Sequence, residues 1–517
     1  MAQRYQLAGA GYGKALLVPA AIIIPALVFL AYVVIGGKLS AGNGDGEKKI
    51  KAPAVAGTFY PGSAKKLSAE IDRYLKNAKA APVTNLKALV SPHAGYPYSA
   101  PIAAYGYSLL PGRDFSTVIV IGPSHHAYLE GASIPDVTHL QTPLGLVEVS
   151  PKVKKMLAEE LIADIPAAYA KEHSVEVQIP FLQKVLGDFK IIPIVVGDVD
   201  PEKFAAILDK YIDDKTLVVA SSDFSHGLPY EDATKIDKFN VRAIVNGSPS
   251  LFNLFGSSCR PCGRVPIAIL SAIAAKRGWA AKALDYRNSG DTTGDPSGRI
   301  VGYASIAFYQ PAPGEEPVKE SFGPLPFTEA EKTLLLQLAR TAIKNHLERK
   351  DAPTVAAEKL TGNLRAVRGT FVTLEINGRL RGCIGNLAPL EELYQNVINN
   401  AVSAAVNDRR FARVTLEDLP KIDIKISVLS LPQKLQFNSP KELLDQLTPG
   451  TDGVILIIGH GRSTYLPQVW EMLPDKEEFL SRLSSKAGMA ADAWKQPGTK
   501  VFTYRAQVFG EIKKSEK

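Results

Sequence analysis

The chain has 517 residues, a length that predicts two to four domains. Hydrophobic residues make up 46% and charged residues 22%, ordinary values for a globular protein. The net charge of +8 is spread over 60 basic and 52 acidic residues with no long basic block, so nucleic acid is not an expected partner, and three cysteines exclude a disulfide scaffold.

After a tail of residues 1–14, the run from Ala15 to Gly37 (ALLVPAAIIIPALVFLAYVVIGG) carries no charge. As a helix it would span about 34 Å at roughly 1.5 Å per residue, enough for a hydrocarbon core of about 30 Å. Lys14 and Lys38 bracket it. The run is longer than the apolar stretch of a signal peptide, about 7–15 residues. The expectation is therefore a single-pass transmembrane helix over 15–37, with the membrane as a partner. The short tail before it places the folded part on the extracytoplasmic side. Residues 38–50 are polar and Gly-rich and read as a linker.

From 51 to 310 short apolar runs alternate with helix-like stretches. Lys87–Val90 (KALV), Thr117–Ile121 (TVIVI), Lys190–Val196 (KIIPIVV) and Thr216–Ala220 (TLVVA) are β-branched or continuously apolar. Lys152–Leu161 and Pro201–Tyr211 between them read as helices. The pattern predicts an α/β domain with a largely parallel sheet covered on both faces.

Three of these strands run straight into polar motifs. KALV leads to Ser91-Pro92-His93, TVIVI to Gly122-Pro123-Ser124-His125-His126, and TLVVA to Ser221-Ser222-Asp223-Phe224-Ser225-His226. Open α/β sheets bind ligands beyond the carboxyl ends of their strands, so these motifs should meet in one crevice. Six of the eight histidines lie between His93 and His226. A lone histidine at a strand end is usually structural; three such motifs together favour a metal or catalytic site. Glu172-His173-Ser174-Val175-Glu176 is a fourth candidate, with His173 and Glu176 spaced to share a helix face. Cys259-Arg260-Pro261-Cys262 lacks a second CxxC, which excludes a four-cysteine zinc site but leaves a Cys259–Cys262 bridge open. A cysteine with two histidines suits iron, copper or zinc better than magnesium or calcium.

The segments Gly57–Pro61, Ser91–Tyr98, Gly122–His126, Glu172–Glu176, Ser221–His226 and Cys262–Arg264, in this order, resemble the Memo family. The resemblance implies a fold similar to class III extradiol dioxygenases. It also implies a metal held by His93, His125 and Cys262, where those dioxygenases use two His and one Glu. His226 and Asp223 match further residues of the family's pocket, as catalytic candidates. His126, His173 and Glu176 match a surrounding layer. With Cys in the carboxylate position the dioxygenase triad is incomplete, so ring opening is not inherited from the fold.

A Pro-rich linker covers 311–326, and the pattern then changes over 327–510. Thr328-Glu329-Ala330-Glu331 reads as a helix start. Asn377-Gly378 between Gly369–Leu374 and Arg379–Gly385 is a hairpin signal. Ile424–Leu429 and Gly453–Gly459 read as strands. Leu380–Gly385 (LRGCIG), Asp408–Phe411, Ile426–Leu429 and Leu466–Trp470 resemble the AMMECR family, which implies a smaller α/β domain with an antiparallel sheet. Cys383 within this signature is either a buried small side chain or a nucleophile, with His346 and His460 as candidate partners. The pairing of the two domains is similar to the AmmeMemoRadiSam group and implies a radical-SAM protein as partner; this chain has no CxxxCxxC motif of its own.

The functional expectation is a membrane-anchored, metal-dependent oxidoreductase acting on an unidentified small molecule. One transition metal is expected, iron or copper ahead of zinc. The alternatives are a zinc hydrolase and a non-catalytic metal-binding adaptor.

Overall fold

The runs KALV, TVIVI, KIIPIVV and TLVVA become four neighbouring parallel strands of one sheet. The computed structural model describes residues 48–254, 257–315, 326–388 and 390–511. The strands are β1 (Leu86–Ser91), β2 (Thr117–Pro123), β3 (Lys190–Val196) and β4 (Thr216–Ser221), adjacent in the order β1-β4-β2-β3. Every residue of β2 and β4 is buried, as expected of strands covered on both faces.

The outer strands depart from the expectation of a largely parallel sheet. β5 (Ala280–Asn288) and β6 (Ile300–Tyr309) pair antiparallel, and β6 pairs antiparallel with β1. His226–Leu228 adds antiparallel to β6, and Ala132–Ser133 antiparallel to β3. The sheet is therefore mixed. The connection from β5 to β6 is too short for the crossover that a parallel pair requires, so the chain turns back on itself. Helix α1 (Tyr96–Tyr107) packs on β1, β5 and β6; α2 (Pro201–Asp209) packs on α4 (Arg264–Arg277), which lies against β2 and β4. Helix α3 (Tyr230–Val245) packs on β5 and β6.

The second half begins with α5 (Glu329–Leu347), whose capping box joins Thr328 to Glu331. It packs on α6 (Leu393–Val406). Strands β7 (Thr370–Ile376) and β8 (Arg379–Asn386) form the expected hairpin. Asn377 and Gly378 at its tip have φ of 51° and 73°, the left-handed pair that a two-residue turn needs. With β9 (Ile422–Leu429) and a last strand they form one antiparallel sheet; β10 (Gly453–Ile458), β11 (Gly461–Tyr465), β12 (Lys500–Tyr504) and Gln433–Lys434 form a second. The last strand of the first sheet is β13 (Ala506–Gly510). The antiparallel character is as expected, but there are two sheets where one was expected.

The halves share a core. Leu429, Ile455, Phe502 and Tyr504 of the second half belong to the same buried apolar cluster as the strands of the first. Lys235 and Glu391 form an ion pair of 2.9 Å across the boundary.

The expectation of a membrane anchor is corrected. Among the described residues no helix is long and apolar enough to cross a membrane. Even α5, at 19 residues, carries Glu329, Glu331, Lys332, Arg340 and Lys344 and buries only one face. The run 15–37 lies outside the described residues. The transmembrane helix, the membrane as a partner and the extracytoplasmic placement are accordingly withdrawn.

Candidate metal centre

Because β1, β4 and β2 are parallel neighbours, the residues that follow them emerge on one rim. His93 follows β1, Asp223 follows β4 and His125 follows β2. Cys262 reaches the same rim from a turn just before α4. Its N–H donates to the Asp223 carbonyl at 3.1 Å, and the Gly263 N–H donates to Ser222 Oγ at 2.9 Å. A Cβ on Gly263 would run into the Ser221 carbonyl, so this close approach needs glycine.

One donor atom from each of His93, His125 and Cys262 can be chosen so that all three lie within 4.8 Å of one another. Cys262 Sγ is 3.1 Å from His93 Nε2, and the His93 and His125 rings meet edge to face at 5.2 Å. The other nitrogen of each ring is occupied. Ser221 Oγ donates its one hydrogen to the Ser174 carbonyl at 2.5 Å, so the 2.9 Å contact with His93 Nδ1 requires the ring to donate. That assigns the proton to Nδ1 and leaves the Nε2 lone pair facing Cys262. Gln178 Nε2 also donates to Ser221 Oγ, at 2.8 Å. His125 Nδ1 lies 2.9 Å from Glu172 Oε1, and the same carboxylate accepts the His125 backbone N–H at 2.7 Å. A carboxylate behind a histidine is the arrangement that orients metal-binding imidazoles.

The electrostatics follow from burial. Burial works against charge on Glu172, but hydrogen bonds from the His125 ring and from the backbone of His125 and Ser174 outweigh it and hold the carboxyl well below its usual range. Burial, reinforced by His125 and His173, keeps His93 neutral far below the ordinary histidine value. Burial first, with His125 and His126 adding and Glu172 opposing, brings His173 down to about 4. The Cys262 thiol is pushed up strongly by burial and by the charge of Asp223. Asp223 is itself raised to about 7 by burial, against the N–H groups of His93 and Ala94 that its Oδ1 accepts at 2.7 and 3.2 Å.

The remaining expected residues divide. His173 stacks on His125 at 4.7 Å, and His125, Glu172 and His173 form a second group with ligand-like spacing. His126 is exposed and edge-on to His173 at 6.4 Å. His226 opens His226–Leu228 and is exposed as a residue, yet desolvation of its ring lowers its pKa; the Phe224 carbonyl opposes this and His125 adds to it. Glu176 faces away from the cluster: it accepts from Ala54 N, Val55 N and Tyr60 Oη at 2.6, 2.9 and 2.7 Å. It does not share a helix face with His173, because the short helix starts at Glu176 itself. It fixes the loop whose Phe59 packs on His173 at 4.6 Å. Cys259, Cys262 and Cys383 are all free, so no Cys259–Cys262 bridge forms.

Cys383 sits inside β8, half-buried. Thr373 Oγ1 donates to its sulfur at 3.3 Å, its N–H goes to Asp408 at 2.9 Å, and Arg410 donates to its carbonyl at 2.9 Å. Among the described residues no hydrogen bond joins it to His346 or His460, which lie in the last turn of α5 and at the tip of the β10–β11 hairpin. Glu172 and Ser221 were not singled out from sequence. Their signal was position: Glu172 directly precedes His173, and Ser221 closes the apolar run that leads to Asp223.

Residues 51–307 match the family model described as Memo-like protein, and residues 336–509 match the one described as AMMECR1. A MEMO1 family protein of Archaeoglobus fulgidus is 36% identical over 267 residues, which cover 50% of this chain and 99% of that protein. One from Methanococcoides burtonii is 37% identical over 268 residues, covering 50% and 99%. The crystal structure of an uncharacterized protein from Pyrococcus horikoshii shares 34% identity, covers 34% of this chain and 89% of that one, and has a TM-score of 0.33.

Proposed function

The chain belongs to the Memo-like protein family through residues 51–307 and carries an AMMECR1 domain over 336–509, and from that premise we propose that His93, His125 and Cys262 hold one transition metal for redox or oxygen-linked chemistry. The observation that carries this is the convergence of three donors within 4.8 Å, each from a different loop. The donor set fits: two imidazoles with Nδ1 tied and one soft sulfur suit iron or copper, with zinc also accommodated. When bound, such a metal supplies electron transfer or activation of oxygen at this rim.

The chain's own groups prepare the site. Ser221 and Glu172 hold the two imidazoles in the tautomer that presents Nε2. The Asp223 carboxyl grips the backbone at His93 and Ala94, and so sets where the first imidazole stands. His226, whose pKa is lowered by its surroundings, offers an imidazole as proton acceptor at the edge of the site. A radical-SAM protein as a partner belongs to this reading through the family pairing.

The test is to purify the full chain without oxygen, measure its metals and follow electron paramagnetic resonance on adding oxygen or dithionite, with catechol as a probe reductant. Iron or copper that changes oxidation state, with turnover impaired by His226→Ala at unchanged metal content, supports the proposal. Zinc that is silent to oxygen in a protein that hydrolyses esters overturns it in favour of a hydrolase. Metal without turnover would favour the adaptor.

A further inference from the structure

The ring of His93 is backed by a chain of neutral hydrogen bonds that runs away from the metal centre into the core. The turn Glu176–Gln178 brings the buried side chain of Gln178 to the ends of β1 and β4. Gln178 Nε2 donates to the Pro92 carbonyl at 2.9 Å and to Ser221 Oγ at 2.8 Å, which engages both of its hydrogens. Its Oε1 accepts from Oη of Tyr107, the last residue of α1, at 2.6 Å. Tyr107, Gln178, Ser221 and His93 are each at most 1% exposed, so a partner removed from this chain is not replaced by bulk water.

The backbone sets the direction of the chain. Turning the amide over would put Oε1 against the Pro92 carbonyl, two acceptors face to face. With Nε2 held there, Ser221 Oγ receives one hydrogen from Gln178 and gives its own to the Ser174 carbonyl at 2.5 Å. What remains on that oxygen is a lone pair, 2.9 Å from His93 Nδ1. Gln178 therefore holds His93 twice, by the carbonyl of the residue before it and by the hydroxyl that its ring meets. Tyr107 in turn keeps the amide from rotating. A carboxylate backs His125, whereas an uncharged chain backs His93.

We propose that Gln178 and Tyr107 are positioning residues of the metal centre, which act through Pro92 and Ser221 to fix the place and the tautomer of His93 and so offer its Nε2 to a metal. The proposal rests on the reading of His93 as a ligand and adds to it two residues outside the ligand set. Groups that orient metal-binding imidazoles contribute about tenfold or more in metal affinity.

The test uses the full chain, with cobalt(II) as the probe and histidine labelled with nitrogen-15. Thiolate absorption of bound cobalt reports binding at Cys262. In the chelated protein the His93 signal, identified by its loss in His93→Ala, should show a proton on Nδ1 and a bare Nε2. Gln178→Met keeps the length of the side chain and removes its polar atoms. It should weaken cobalt binding about tenfold and mix the two tautomers of His93. Tyr107→Phe removes a single hydroxyl and should weaken binding about threefold. Tyr96→Phe is the control: Tyr96 and Tyr107 flank the same Phe181 ring at 5.3 and 4.9 Å, and Tyr96 Oη donates to the Val177 carbonyl at 2.9 Å. A merely structural role predicts equal effects from the two tyrosines. The positioning role predicts that Tyr96→Phe leaves cobalt affinity and the His93 signal unchanged. Full affinity in both Gln178→Met and Tyr107→Phe, equal loss in Tyr96→Phe, or a His93 protonated on Nε2 in the unaltered chain would overturn the proposal. An unaltered chain that takes up no cobalt would overturn the reading of the ligands and not the chain of hydrogen bonds, which the His93 signal of the metal-free protein tests by itself.

Discussion

Cys262 and Cys383 are both free cysteines in family motifs, yet their surroundings differ because the sheets behind them differ. Parallel strands all end on the same side, so the loops after β1, β2 and β4 meet although they are far apart in sequence. Cys262 enters that meeting point and finds His93 Nε2 at 3.1 Å. Cys383 lies within an antiparallel hairpin, where a side chain sees mainly its ladder partners; directly opposite is Thr373, whose hydroxyl it accepts. Strand direction, more than residue type, separates a cysteine able to join a ligand set from one held in a ladder.

The largest effect should come from removing donors. Cys262→Ala or His93→Ala should lower metal occupancy at least about tenfold by elemental analysis, while Cys383→Ala leaves it unchanged. Equal loss from Cys383→Ala would break the contrast. Next come two glycines, one in each half. A Cβ on Gly302 would clash with the Asp237 carboxylate, and one on Gly382 with the Ala404 carbonyl. Each change to alanine should cost on the order of 3 kcal/mol in denaturant unfolding. Because the halves share a core, both should shift one common transition. Two separable transitions would show that the halves unfold independently.

Two aspartates, one from each half, should contribute to the pH dependence with opposite sign. Asp237 accepts from Ser225 N, Ser225 Oγ and Tyr286 Oη, yet burial raises its pKa to about 7 from 3.8. The folded state therefore keeps a proton that the unfolded chain releases, and stability falls as pH rises between about 4 and about 7. Asp237→Asn should flatten this slope, by a few degrees in melting temperature at pH 8 on the order-of-magnitude scale for a domain. No change in slope would mean that Asp237 is ionised in the folded state. The smallest effect concerns Asp408, which the Arg410 side chain, against burial, holds at about 2. Its contribution is present above about pH 4 and lost as pH falls towards about 2. Arg410→Gln should weaken that acid dependence by about a degree or two in melting temperature; an unchanged acid limb would dismiss the pair.

Local signals in the sequence were sufficient for the four central strands, the Asn377-Gly378 turn and the helix that starts after Thr328. Hydrophobic runs, positive φ and capping depend on residues a few positions apart, so they are legible before any fold is known. The same reasoning brought His93, His125 and Cys262 forward as a set, through strand ends and the family resemblance. It did not separate Glu172 from Glu176. Both are buried carboxylates in one short motif, but the first accepts from His125, 47 positions away, and the second from Ala54 and Val55, 122 and 121 positions away. Nor could it foresee Ser221 behind His93, 128 positions distant, the antiparallel outer strands, or the apolar core shared by the two halves. Those features depend on strand order and register, which are fixed only when distant segments pack against one another.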